Sequence, residues 1–234
     1  LPWASASLQW DPWEENPEVT VVRPQRYRFD SDWEETVELN DGSYATLRLL
    51  RPEDRALLQQ GFERLSTESK YTRFLGLKRR LTERDLDYLC DVDHQSHIAI
   101  GAVAADGETG MGVARCVRLD DDQDIAEAAV TVIDACQGKG LGHILLDRLV
   151  RAAVERGIRR FRNTVFAENT AMLALIRDMG EANVIERDGP VVTIDAQLPT
   201  AEELGVDDPE ETRMGALRRV LRMAARGALR LFRT

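Results

Sequence analysis

The stretch richest in chemical possibility reads Val130-Thr-Val-Ile-Asp-Ala-Cys-Gln-Gly-Lys-Gly-Leu-Gly-His143. An apolar run of strand character enters a turn with glycines at 138, 140 and 142, and a helical pattern begins directly after it. At such a junction the first N–H groups of the helix have no intrahelical acceptor, and the helix dipole adds positive potential at the same place. Phosphate is the natural ligand there, and glycine lets it approach the backbone without meeting a Cβ. Two known phosphate loops fail on spacing. A Walker A loop needs Ser or Thr after Gly-Lys, whereas Lys139 is followed by Gly140. A dinucleotide fingerprint counted from Gly138 needs glycine where His143 stands.

A second candidate is Glu127, a lone carboxylate in the apolar pattern Ile125-Ala-Glu-Ala-Ala-Val, ten residues before Gln137. Burial there raises a carboxylate's pKa toward that of a general base; a residue on the solvent face of a strand is the plain alternative. His143, in the first helical turn, is either a phosphate contact or a histidine at a helix end. His94-x-x-His97 has no third ligand near it, so no metal is expected. Cys136, beside the loop, is expected to be a small buried filler rather than a redox group.

These residues need a frame. Alternation predicts a strand over 44–50, after the turn Asn40-Asp41-Gly42. Arg51-Pro52-Glu53-Asp54 opens a helix carrying Leu57, Leu58, Phe62 and Leu65, and further helices are predicted over 67–74 and 82–91. Thr82 with Asp85 gives the last of these a capping box. Strands over 97–104, 110–119 and 125–133, separated by acidic turns, form an antiparallel meander. A helix over 140–156 ends at Gly157, a C-terminal glycine. A strand over 160–166, a helix over 169–179 and strands near 183–186 and 191–196 follow.

Gln137, Gly140 and Gly142 satisfy the pattern Q-x-x-G-x-G, which resembles the acetyl-CoA pyrophosphate loop of the GNAT superfamily of N-acetyltransferases. Glu168-Asn169-Thr-Ala-Met gives a second match. The likeness covers about residues 44–197 and implies an α/β (α+β) GNAT fold: a central mixed, mostly antiparallel sheet flanked by helices. Residues 48–74, with Arg-Pro-Glu-Asp and then Leu-Ser-x-Glu-Ser-Lys-Tyr-x-Arg-Phe, look further like the GNAT domain of bacterial protein-lysine acetyltransferases. The resemblance implies acetyl-CoA as cosubstrate and direct transfer to a primary amine, first of all a protein lysine, in a ternary complex. It implies pyrophosphate binding by Gln137, Gly138, Lys139, Gly140, Leu141, Gly142 and His143, and pantetheine binding by the backbone of Val130, Thr131 and Val132. Asn169 would help hold the CoA arm and Glu127 would be the base. The chain departs from the pattern at Ile176, where many members place a general-acid tyrosine, and at Glu181, where a phenylalanine usually follows the glycine. A non-catalytic acyl-CoA-binding module engaging a partner through its terminal extensions is the rival reading.

Outside this domain, taken as 42–198, lie an acidic arm (1–41) holding all four tryptophans, with a short strand at 19–22, and a tail (199–234). Residues 212–234 present apolar and arginine stripes at helical spacing, with seven arginines and no acid from Arg213 onward. The net charge is −10, so the body is more acidic still. The basic helix is expected to dock on that body, with a partner or an anionic membrane surface next and nucleic acid last. Three cysteines without a CxxC pair point to a reducing compartment. No secretory leader is expected from 1–13, no apolar stretch is long enough to span a bilayer, and the expected location is cytoplasmic.

Overall fold

The run His97-Ile-Ala-Ile-Gly-Ala-Val-Ala104 is apolar after its first residue, and such a strand is stable only when both faces are covered. In the computed structural model, which describes residues 28–205, it is the third of eight strands in one sheet. The strands are β1 (Glu34–Glu38), β2 (Tyr44–Leu49), β3 (His97–Ala104), β4 (Gly110–Arg118), β5 (Ile125–Val132), β6 (Arg160–Phe166), β7 (Ala182–Asp188) and β8 (Val191–Gln197). Their order is β1-β2-β3-β4-β5-β6-β8-β7, and every neighbouring pair is antiparallel except β5–β6.

One parallel pair requires a crossover, and helix α4 (Leu141–Glu155) supplies it. Leu141, Leu145, Leu149 and Ala152 form its buried stripe, in one core with Ala114, Cys116, Ala126 and Ala128 of β4 and β5. The approach is close. A Cβ at Gly112 would stand 2.8 Å from the Thr131 carbonyl oxygen and 3.1 Å from Leu145 Cδ1. Helices α1 (Arg55–Glu63), α2 (Thr67–Phe74) and α3 (Glu83–Cys90) line the opposite face of the sheet, and α5 (Thr170–Met179) packs beside α4.

Local chemistry fixes the helix ends where the sequence placed them. Thr82 and Asp85 form a full capping box on α3, Ser66 caps α2, and α4 gives way to Gly157 at φ +80°. Arg51-Pro52 begins with a 3₁₀ turn (Pro52–Asp54) before α1. There Asp54 accepts from the Arg51 amide at 2.8 Å and pairs with the Arg48 guanidinium through two 2.6 Å bonds.

The segment read as an extended arm differs from expectation at its end. Residues 34–38 form β1, whose sequence Glu-Glu-Thr-Val-Glu has one apolar residue, Val37, packed against the core, and so offers no apolar alternation to detect. Arg148 of α4 grips its Glu35 with bonds of 2.7 and 2.6 Å. Just before it, Phe29 is buried, its ring 4.6 Å from that of Trp33, and its carbonyl accepts from Arg156 at 2.7 Å. The other tryptophans (3, 10 and 13), the strand at 19–22 and the basic helix over 212–234 lie outside the described residues. Within 199–205 the chain forms a short helix, α6 (Ala201–Leu204), whose Leu204 carbonyl accepts from Arg151.

Because Phe29 is 1% exposed and anchors this segment against α4, Phe29→Ala should lower unfolding free energy by about 3–5 kcal/mol in a denaturant titration. A loss below about 1 kcal/mol would mean that the segment before β1 is not part of the folding unit.

Candidate active site

Strand β5 pairs with β6 only over Ile125↔Arg160, Ala126↔Phe161 and Glu127↔Arg162, yet it runs on to Val132. Where pairing stops, Asn163 of β6 takes over, its Oδ1 accepting from the Ala128 amide at 3.2 Å. The Leu119 amide donates to the Ile125 carbonyl, which sets the alternation on the β4 side. Glu127, Ala129 and Thr131 therefore turn their backbone groups to β4, while Val130 and Val132 turn theirs into the gap that β6 has left. The strands thus part like a wedge, with free strand backbone along one side.

The glycine loop closes the wide end. After a 3₁₀ turn (Asp134–Cys136), Gly138 and Gly140 adopt φ +73° and +85°, a region that penalises any side chain. A Cβ on Gly140 would also lie 2.9 Å from Asn40 Nδ2. Gln137 folds back, donating from Nε2 to the Val132 carbonyl at 3.1 Å and to Ser69 Oγ at 3.4 Å. Asp134 accepts from the Ser66 amide and the Ser69 hydroxyl, tying the loop to α2. The first amides of α4, on Leu141, Gly142 and His143, precede the first intrahelical bond, from Ile144 N to Gly140 O at 3.2 Å. The Leu141 side chain is buried in the core, so only its backbone faces the loop. Lys139 points elsewhere, to Asp41 at 2.9 Å, and His143 Nε2 lies 3.0 Å from Asp178 of α5. Asn169 caps α5, its Oδ1 accepting from the Met172 amide at 3.1 Å. Ile176 is 1% exposed and packs with Val165 and Ile194, so no acid occupies that position. Cys136 is buried, in line with its reading as a filler.

Glu127 and Thr131 project from the face of β5 opposite the α4 core. Glu127 is exposed and lines a cleft of about 340 Å³ with Ala129, Arg115, Arg73, Lys78 and Tyr88 among its walls. Arg115 is the cross-strand partner of Ala129 and is 5% exposed. It donates to the Leu89 carbonyl at 3.3 Å and to His97 Nε2 at 3.1 Å, so that nitrogen must be the unprotonated one. Burial, then the Arg115 charge, lowers the His97 pKa to about 4, and burial, then the Arg73 charge, lowers that of Arg115 to about 10. Arg73 of α2 donates from Nε to Thr131 Oγ1 at 3.0 Å; burial lowers its pKa, while the Glu127 charge pulls the other way.

Four residues that converge here had no site role from sequence alone: Arg115 and Asn163, and Tyr71 and Arg73, which were marked only as part of the motif at 65–74. Tyr71 of α2 stacks on Phe166 at the end of β6, with centroids 5.0 Å apart and planes 8° apart, and so bridges α2 to the parted strand. Arg115 had a visible signal, a charge inside the apolar run Met111-Gly-Val-Ala-Arg-Cys-Val, the same signal that marked Glu127.

The sheet is thus parted at its one parallel pair, with a glycine loop and a helix N-terminus at the mouth. The model of the acetyltransferase (GNAT) family matches residues 58–180, and the chain belongs to that family. It is 35% identical over 144 residues to an acetyltransferase of Pseudomonas aeruginosa, a match covering 61% of this chain and 77% of the relative. It is 34% identical over 164 residues to the acetyltransferase Pat of Mycolicibacterium smegmatis, covering 67% of this chain and 47% of that longer relative. The crystal structure of the GNAT domain of S. lividans PAT matches with TM-score 0.67 and 30% identity, over 73% of this chain and 99% of that one. The protein is accordingly an acetyl-CoA-dependent acetyltransferase of the GNAT family.

His97 gives the site a pH signature. The unfolded chain takes up a proton near pH 6.5 that the folded chain refuses until about 4. Stability from this group is therefore complete above about 6.5 and is lost as pH falls toward 4, by about 3 kcal/mol in all. In His97→Gln, urea titrations from pH 7 to 4 should show a shallower acid loss than in the parent; identical pH slopes would contradict a buried neutral imidazole.

Proposed function

We propose that the chain transfers acetyl from acetyl-CoA directly to a primary amine, with lysine on a protein as first-choice acceptor, and that Glu127 is the general base. The observation carrying this reading is the pairing of two features on one strand. β5 offers unpaired backbone at Val130 and Val132 along its parted edge, and three to five residues earlier it places Glu127 in an open cleft. The lysine acceptor is supported by the likeness of residues 48–74 to protein-lysine acetyltransferases and by similarity to the GNAT domain of S. lividans PAT.

The residues present fit the cosubstrate. Gly138 and Gly140 leave a cradle free of side chains, and the amides of Leu141, Gly142 and His143 suit a pyrophosphate at a helix N-terminus. The Val130 and Val132 backbone suits the pantetheine amides, with Thr131 held in the β4 ladder between them. Gln137 acts by stapling the loop to Val132, and Asn169 by capping α5 beside the mouth. Lys139, turned to Asp41, and His143, turned to Asp178, flank the cradle and fix its neighbours.

When bound, acetyl-CoA supplies an activated acetyl thioester. A lysine ammonium with pKa about 10.4 must lose its proton first, which costs roughly 4–5 kcal/mol at pH 7. Glu127, exposed at the cleft, takes that proton directly or through one water. With Ile176 in place of an acid, the departing thiolate takes its proton from solvent or from the amine. A carboxylate standing in an open cleft counts against a module that only binds acyl-CoA.

Two variants separate binding from chemistry. Gly140→Glu drives a side chain against Asn40 at φ +85° and adds a negative charge to the loop, and should abolish acetyl-CoA binding by calorimetry; unchanged affinity would remove the loop from the site. Glu127→Gln should leave that affinity intact while lowering turnover about 10²-fold at neutral pH. The deficit should narrow as pH rises, because more of the amine is then neutral unaided. Full turnover at pH 7 would place the base elsewhere.

A further inference from the structure

The cleft beside Glu127 carries more positive charge than amine acetylation requires. Arg73 and Arg115 stand together in its wall, and neither has a carboxylate within ion-pair distance among the described residues. Lys78, at the same cleft, is balanced by Asp85 at 2.8 Å. Arg118 is spent on the backbone carbonyls of Gln123 and Arg156. Arg115 is likewise committed, to Leu89 O and His97. Arg73 is not. Its one hydrogen bond runs from Nε to Thr131, and its guanidinium carbon lies 5.2 Å from the centroid of the Phe74 ring, while its two terminal nitrogens have no hydrogen-bond partner among the described residues.

Holding two guanidiniums out of water beside each other is costly, and burial lowers the pKa of both. The arrangement stands out in a chain of net charge −10, which has acids to spare for neutralising them. A guanidinium fork with its Nε fixed and its two terminal groups open matches a carboxylate in geometry and charge. The order of depth matters as well: Glu127 is exposed, Arg73 is half-buried and Arg115 is buried. A molecule entering past Glu127 therefore meets, further in, two guanidiniums with no ion-pair partner, opposed only by the more distant Glu127 charge. An acceptor bringing only an ammonium would meet repulsion there.

We propose that the cleft selects acceptors in which a carboxylate lies close to the amine, the carboxylate seated on the open fork of Arg73 with the charge of Arg115 behind it, and the amine held at Glu127. The carboxylate comes either from an acidic residue beside the target lysine or from a small amine that is itself an acid. The first source rests on the protein-lysine reading above; the second does not.

The test uses the full chain, acetyl-CoA and two matched pairs of acceptors. One pair is a lysine peptide with glutamate or glutamine next to the lysine; the other is 6-aminohexanoate or hexylamine. In each pair the carboxylate-bearing member should have the higher kcat/KM, by about tenfold or more, and Arg73→Met should erase the difference. Arg73→Lys, which keeps charge without the fork, should retain part of it, and thermal melts identify any variant that fails to fold. A preference confined to 6-aminohexanoate, lost in Arg73→Met, would uphold the anion seat and overturn the protein-lysine reading. If no amine turns over, calorimetry of 6-aminohexanoate against the CoA-bound chain reads the same seat, with Arg73→Met again the control. Equal rates or affinities within both pairs, or a preference that survives in Arg73→Met, would overturn the proposal.

Discussion

Two parallel strands that pair for three residues and then separate govern the rest of this molecule. Backbone N–H and C=O groups in a sheet interior demand partners, and from Ala128 onward β6 no longer supplies them. Asn163 meets the first of these demands with its side chain, accepting from the Ala128 amide while remaining 1% exposed. Gln137 meets another by donating to the Val132 carbonyl. What remains, at Val130 and Val132, is an edge of strand inside a sheet, open to a ligand that can pair as a strand does. The crossover that the parallel pair requires places the N-terminus of α4 at the mouth of this gap. In the reading proposed above, an amide-rich chain and a phosphate would find their partners there side by side.

The two faces of β5 divide the labour. Ala126 and Ala128 lie under α4 and belong to the core, so they fix the strand without occupying space on the other side. Glu127 and Thr131 project toward α2 and α3, with Ala129 between them leaving room. Arg115 enters from β4 at the level of Ala129, and Arg73 reaches Thr131 from α2. α2 is held in turn by Asp134 at its N-terminus and by the Tyr71–Phe166 stack across the parted strands. A shift of α2 would therefore be felt at the loop, at the cleft and at the end of β6 together.

Periodicity and capping made most of the frame legible. The meander, the helix after the glycine loop and the helices before it stand close to where alternation, Thr82 and Gly157 put them. β1 was illegible because only Val37 of its five residues is apolar, so its place depends on tertiary partners such as Arg148 rather than on pattern. β7 and β8 run longer than the signal suggested, extended by pairing up to the turn at Gly189. For the site, spacing led to the loop and to Glu127. It could not tell that Lys139 turns to Asp41, which needs the Asn40-Asp41 turn to pack on the loop, a contact about a hundred residues away in sequence. Nor could it tell that Arg73 and Arg115 converge, since α2 and β4 meet only through the fold.

Hydrogen exchange resolved to single amides, compared with and without acetyl-CoA, reads the unpaired N–H groups of β5 and of the first turn of α4 one by one. New protection is expected at Val130 and Val132 and at Leu141, Gly142 and His143, with amides of the β3–β4 turn unaffected. Protection absent from Val130 and Val132, or appearing only away from the parted strands, would contradict acetyl-CoA binding in the gap.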